Sequence, residues 1–342
     1  MQNIHQLWLA SLSKLTHIML FMAIVVVSLG AYTRLKDAGL GCPDWPGCYG
    51  KWIVSDLISE TVSSEPTVYG PEASLQVTRE KAWIEMIHRY VAGMLGIGIL
   101  GIAVLSTKAR VWRMGLSKWL PWALVALLIF QATLGMWTVT LRLYPIVVMG
   151  HLFGGVLITL TLAWWCLSLR KQIQENKMPL QRQSLYANLR LGVLFGVLTL
   201  LLQLILGGWT SANYAALVCL DFPLCQGFQN PPSAWREAFN LLGAGNPGSP
   251  GEPLSFLARA TVHMAHRYWA LVTTVVLLWN TYRLWRSGFS ARWLFLLLTL
   301  LVLQISLGVT NVLAYLPLST AWLHHLVAIV LLLGWLRVLR KC

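Results

Sequence analysis

The chain has 342 residues, of which 57% are hydrophobic and 11% charged. Soluble domains carry about 25% charged residues, so this composition, with a mean hydropathy of +0.63, excludes a chain folded wholly in water. The net charge of +14 does not indicate nucleic acid, because the basic residues lie in short segments between apolar runs, where they set membrane topology.

Eight apolar runs reach about 20 residues, the length a helix needs to cross a bilayer. They cover 15–34, 83–106, 119–140, 146–169, 190–212, 260–282, 292–313 and 319–339. The first runs into Thr33 and Arg34 without a small-residue cleavage pattern, so it reads as a retained span. A long loop follows, from about 35 to 82; it carries Cys42 and Cys48, and no motif is legible in its middle, 51–80. The second long loop carries Cys219 and Cys225, then Asn246-Pro247-Gly248-Ser249-Pro250-Gly251, which reads as irregular and mobile.

Charge divides the connections into two faces. One face holds Lys14, Lys108, Arg110, Arg113, Lys118, Arg170, Lys171, Lys177, Arg182, Arg190, Arg283, Arg286, Arg292, Arg337, Arg340 and Lys341. The other holds Asp37, Asp44, Asp56, Glu60, Glu65, Glu72, Glu80, Asp221, Glu237 and Glu252, and only Glu175 falls among the basic loops. The positive-inside rule makes the basic face cytoplasmic, with both termini there. The paired cysteines then face the compartment where disulfides persist. Cys166 and Cys342 lie toward the basic face as bystanders.

The two halves repeat. Leu29-Gly30-Ala31-Tyr32-Thr33 with Cys42-Pro43-Asp44-Trp45-Pro46-Gly47-Cys48 matches Leu206-Gly207-Gly208-Trp209-Thr210 with Cys219-Leu220-Asp221-Phe222-Pro223-Leu224-Cys225, each position 177 residues apart. Ile87-His88-Arg89-Tyr90 answers to Ala265-His266-Arg267-Tyr268, Gln131-Ala132-Thr133-Leu134-Gly135 to Gln304-Ile305-Ser306-Leu307-Gly308, and His151-Leu152 to His325-Leu326. The expected fold is an all-α membrane protein of eight transmembrane helices. Two tandem four-helix bundles, 1–172 and 185–342, would be related by a pseudo-two-fold along the membrane normal. Glycines 30, 135, 207 and 308 read as points of close helix packing.

Of eight histidines, His5 and His17 stand apart and receive no role. His88, His151, His266 and His325 each fall a turn or two into a span entered from the acidic face, so all four share one depth. Ionisable residues inside a membrane default to function, and two rings per half on different helices suit six-coordinate haem iron. Zinc or copper would want closer ligands and added thiolates or carboxylates. His263 shares a face with His266, while His324 points about 100° away from His325; the repeat favours His266 and His325. Arg89 and Arg267 directly follow a ligand histidine and are placed either to pair with haem propionates or to snorkel to the interface. Glu85 lies on the His88 face, and the second half has His263 in its place. That asymmetry suggests one half with a reacting group and one with a permanent haem. The cysteine pairs admit two readings, a brace over the haem pocket or a redox-active dithiol.

The run Gly30-Ala31-Tyr32-Thr33-Arg34 through Gly39-Leu40-Gly41-Cys42-Pro43-Asp44-Trp45-Pro46, with Glu85-Met86-Ile87-His88-Arg89, resembles the haem A synthase family of cytochrome oxidase assembly proteins. The resemblance covers nearly the whole chain. It implies stepwise oxidation of the C8 methyl of haem O to a formyl group, in a bacterial inner (plasma) membrane. His88 and His151 would flank the substrate haem, His266 and His325 would ligate a haem B cofactor that passes electrons, and Glu85 would sit at the reacting edge. Membrane lipid, a haem O synthase, a quinone or other electron acceptor, and further copies of the chain are the partners this implies. Two other classes compete: a bis-His cytochrome b exchanging electrons with quinone, which leaves Glu85 unexplained, and a membrane thiol oxidoreductase, which leaves the histidines idle. No broken-helix signature supports a transporter.

Overall fold

A backbone in lipid must satisfy its own polar groups, so each long apolar run closes into a helix. The computed structural model describes residues 2–54, 62–63, 76–77, 79–174, 187–225, 231–241, 245–246, 249–250 and 254–342. In chain order its helices are α1 (Gln2–Leu35), α2 (Arg79–Lys108), α3 (Leu120–Thr140), α4 (Pro145–Gln174), α5 (Arg190–Ala212), α6 (Pro232–Ala238), α7 (Phe256–Arg286), α8 (Ala291–Leu313) and α9 (Leu318–Lys341). Seven are long and apolar enough to cross a membrane, so this is an all-helical membrane protein. The expected sixth span, 260–282, lies within α7, which is 31 residues long but is kept out of that set by polar residues such as Arg259, His263, His266, Arg267 and Asn280.

Two small antiparallel pairs interrupt the loops among the described residues: β1 (Val62–Ser63) with β2 (Gln76–Val77), and β3 (Gly245–Asn246) with β4 (Ser249–Pro250). The second pair falls where the sequence reads as irregular; Pro247, Gly248 and Gly251 themselves lie outside the described residues. So do most of 51–80, the loop positions Lys177 and Arg182, and the acidic residues Asp56, Glu60, Glu65, Glu72, Glu175 and Glu252.

Local signals set the helix ends. Pro121 opens α3 where its missing N–H costs nothing, and the Ser255 hydroxyl caps α7 by accepting from the Ala258 N–H at 3.2 Å. The turns after α3 and α8 are built alike: Arg142 and Leu143 (φ 48° and 58°) and Tyr315 and Leu316 (φ 58° and 60°) all take left-handed backbone. In the first half α1 packs on α2 and α4, and α3 on α4; in the second α5 packs on α7, and α8 on α9.

Two apolar cores result. Leu12, Ile99, Ile102, Leu124, Leu162 and Trp165 fill the first. Val193, Leu277, Leu297, Leu331 and Trp335 fill the second, which also takes in Val27 of α1 and Val156 of α4. Lipid tails are as apolar as leucine, so these contacts stabilise through fit rather than through exclusion of water. Polar bonds join the same junction: Trp322 Nε1 donates to the Ser28 carbonyl at 3.1 Å. Arg34 Nη2 donates to the Ser211 carbonyl at 2.8 Å, with its guanidinium 4.1 Å from the Tyr214 ring centre.

Candidate functional site

Four times among the described residues a histidine ring sets its Cε1 against a glycine of an earlier long helix. A Cβ placed on Gly30 would come within 3.1 Å of His88 Cε1, on Gly135 within 3.0 Å of His151, on Gly207 within 2.9 Å of His266, and on Gly308 within 3.0 Å of His324. Any side chain at these glycines would displace the ring, so the glycines fix ring depth and orientation.

The fourth member corrects the sequence correspondence. His324, not His325, occupies the place equivalent to His151. Gln131, Gly135 and His151 map onto Gln304, Gly308 and His324 by one step of 173 residues, a constancy that a match to His325 breaks. His325 lies on the α9 face of Trp322, one turn away and toward α1, and its Nε2 is buried without a hydrogen bond.

Sequence reading also missed three glutamines. Gln131 donates its amide to the His151 carbonyl, and the His151 ring Nδ1 lies 3.2 Å from the Gln131 carbonyl. Gln203 donates to the His266 carbonyl at 3.2 Å and lies 3.1 Å from His266 Nδ1. For His324, Nδ1 lies 3.1 Å from the Gln304 carbonyl. The glutamine amides also meet the rings, Gln131 lying 3.0 Å from His151 Nδ1 and Gln304 3.2 Å from His324 Nε2. The signal was legible: each glutamine stands four residues before its glycine, as Gln131–Gly135, Gln203–Gly207 and Gln304–Gly308, and so on the same helix face. Val26 holds that position before Gly30, and His88 Nδ1 is buried with no hydrogen bond of normal geometry.

Glu85 is buried at 5% exposure one turn before His88. Its Oε2 accepts from the Cys42 N–H at 2.9 Å, and its Oε1 pairs with Arg89 Nη2. The loop reaches it because residue 41 is glycine: a Cβ there would lie 2.6 Å from the Lys81 carbonyl carbon. Arg89 continues outward, its Nη1 donating to the carbonyls of Asp44 at 2.9 Å and Pro46 at 3.3 Å, and to Gly47. Arg267 does the same in the second half, to Asp221 at 2.6 Å, Pro223 at 3.2 Å and Cys219 at 2.6 Å. Both arginines thus clasp the cysteine-bearing loops, where the sequence left propionate pairing and snorkelling open. His263 stands at the Glu85 position, 5% exposed, with Nδ1 unpartnered.

Cys42 is joined to Cys48 and Cys219 to Cys225. The first bridge packs on Val54, Ala82 and Met86, directly over the Glu85 helix turn. The Asp44 carboxylate closes this loop by accepting from the Tyr49 and Gly50 N–H groups at 2.6 and 2.8 Å. Burial, then the charges of Asp44 and Glu85, push the Tyr49 phenol above its ordinary range, so it stays protonated beside the Glu85 pocket.

Residues 13–336 match the family model described as cytochrome oxidase assembly protein. The chain belongs to this family. A relative from Shewanella oneidensis, named heme A synthase, is 43% identical over 94% of this chain and 94% of its own. Relatives of the same name from Neorickettsia sennetsu and Rhizorhabdus wittichii are 26% and 23% identical, covering 96% and 92% of this chain and 96% and 88% of their own.

Within the family frame, the first histidine pair has the spacing that haem iron needs. Two imidazoles bound to one metal at roughly 2 Å each put their ring centres about 6 Å apart; His88 and His151 stand 6.3 Å apart. In the second half His266 stands on α7 against Gly207 and His324 on α9 against Gly308. Among the described residues no cluster of three or more His, Cys, Asp or Glu forms a smaller metal site.

Proposed function

We propose that this chain is a haem A synthase, oxidising the C8 methyl of haem O to a formyl group for assembly of a terminal oxidase. The observation that carries the reading is the buried Glu85–Arg89 pair one turn from His88, absent from the matching place in the second half. Full-length similarity to relatives of that name supports it.

In this reading α7 is the sixth of eight spans, and units 1–172 and 185–342 are related by a pseudo-two-fold along the membrane normal. The basic loops and both termini lie in the cytoplasm, and the histidines lie toward the outer face of a bacterial inner membrane. His88 and His151 hold the substrate haem O. His266 and His324 hold haem B, His324 taking the place first given to His325. Bound there, haem B supplies a path for single electrons to a quinone or other acceptor. A glycine sets the depth of each ring, and glutamines orient the His151, His266 and His324 rings. Glu85 moves a proton at the reacting edge or balances positive charge developing there, and Arg89 holds that carboxylate in place. The Cys42–Cys48 loop covers the pocket and limits water. A haem O synthase delivering substrate, and further copies of the chain, are the partners the reading admits.

Co-expression with a haem O synthase, followed by chromatography and mass analysis of extracted haems, tests this. Haem A should appear, and Glu85→Ala should cut its formation by roughly 100-fold while haem B is retained. Haem B alone, with haem O untouched, would instead support an electron-transfer cytochrome b.

A further inference from the structure

At the basic end of the bundle α4, α5 and α9 converge, and five cations meet there. Arg170 comes from α4, Arg190 is the first residue of α5, and Arg337, Arg340 and Lys341 close α9. The Arg340–Ser168 contact sets α9 against α4 at this end, with Arg190 in charge range of Arg340 and both Arg337 and Arg170 in charge range of Lys341. The described Asp and Glu residues, namely Asp37, Asp44, Glu80, Glu85, Asp221 and Glu237, all belong to the opposite end. The Cys342 thiol lies in the charge range of Arg190.

Arg337 and Arg340 are half-buried, while Arg170, Arg190 and Lys341 are exposed at the surface. The Arg340 guanidinium lies 4.7 Å from the Trp164 ring centre and donates to Ser168 Oγ at 3.3 Å, yet its Nε is buried without a partner. Arg337 lies 4.6 Å from the Trp293 ring centre, and the Lys341 ammonium 5.4 Å from that of Phe289. Leu189, Val193, Phe289, Trp335 and Val338 form a packed floor beneath them. Arg190 opens α5, where the helix dipole adds positive potential instead of offsetting it, and Leu189 supplies no side-chain cap.

Topology requires basic residues on this face, and helix C-termini favour them. Neither requires five in one place, drawn from both sides of the junction between the halves. Gathering like charges there costs Coulomb energy that an anion recovers. We propose that the cluster is a phosphate-binding site, filled by the headgroup of an anionic phospholipid of the surrounding leaflet, which ties α4 to α5 and α9. Basic pockets between transmembrane helices take such headgroups by charge and by the fork geometry of arginine.

The test uses the full-length protein in neutral detergent, followed by native mass spectrometry and thermal unfolding. The probes are phosphatidylglycerol, phosphatidylcholine and inorganic phosphate. Phosphatidylglycerol should be retained and should raise Tm, with phosphatidylcholine bound roughly tenfold more weakly. Arg190→Gln with Arg340→Gln should lower retention of phosphatidylglycerol by about tenfold. Arg110→Gln with Arg113→Gln, elsewhere on the same basic face, should leave it unchanged. Equal retention of the two lipids by the wild-type protein overturns the site even if the double variant fails to fold. Equal loss in both double variants overturns it in favour of diffuse surface charge. Protection by millimolar inorganic phosphate, with no added effect of lipid, keeps the phosphate site and rejects the lipid as its source.

Discussion

The outer pockets of the two halves share a plan: a glycine behind the first ring, an arginine after it, and a disulfide loop whose carbonyls that arginine gathers. They differ one turn before the ring. Glu85 there ties three things together, since it accepts from the Cys42 backbone and pairs with the same Arg89 that holds the loop. His263 stands in that place in the second half, and Arg267 donates to the loop carbonyls of Asp221, Pro223 and Cys219. The second half shows that the clasp alone is enough to hold a loop over a pocket. A carboxylate buried in the first half is therefore not needed for the architecture, and it costs desolvation that structure alone does not recover. That is the physical case for giving it chemical work.

Three sets of substitutions probe the contrast, beginning with the largest effect. His324→Ala should remove one of the two rings of the second pocket and weaken haem retention by roughly 100-fold or more, with loss of the six-coordinate low-spin absorption spectrum. His325→Ala should leave that spectrum in place; the reverse result would return the ligand role to His325. Next, Arg89→Ala leaves Glu85 buried and unpaired, where the two side chains are only 12% and 6% exposed, so it should destabilise by about 3–5 kcal/mol. Arg267→Ala breaks only hydrogen bonds to carbonyls and should cost roughly 1–3 kcal/mol. Thermal unfolding of the two variants in one detergent compares them, and equal losses would mean the Glu85 pair adds nothing to the clasp. Smallest, Cys42→Ser with Cys48→Ser should lower stability by about 2 kcal/mol and leave haem A formation measurable. Complete loss of product from a folded double variant would make the bridge a redox partner instead of a brace.

Much of the site was legible before any coordinates. The pairing of Glu85 with the His88 turn follows from a three-residue spacing, and the cysteine pairs lie one constant step apart in the two halves. The glutamines were visible as a Gln-x-x-x-Gly spacing, but a polar residue in a span has many readings until its partner is seen. For Arg89 and Arg267 the sequence left propionate pairing and snorkelling open, and only the loop's path brings the carbonyls of Asp44 and Asp221 within their reach.

Composition and order along the chain determined what local physics controls: lipid as solvent, the positions of the long helices, the internal repeat, and the residue types able to hold a haem. Those properties depend on neighbours within a turn or two, or on hydropathy summed over a span. Tertiary structure decided which of two adjacent histidines meets Gly308, where each arginine ends, and that Cys42 presents its N–H to Glu85. Each of these depends on contacts between distant segments, and a step of one residue on a helix turns a side chain by about 100°. Sequence spacing that drifts by one position therefore loses the pocket, while packing against a single glycine fixes it.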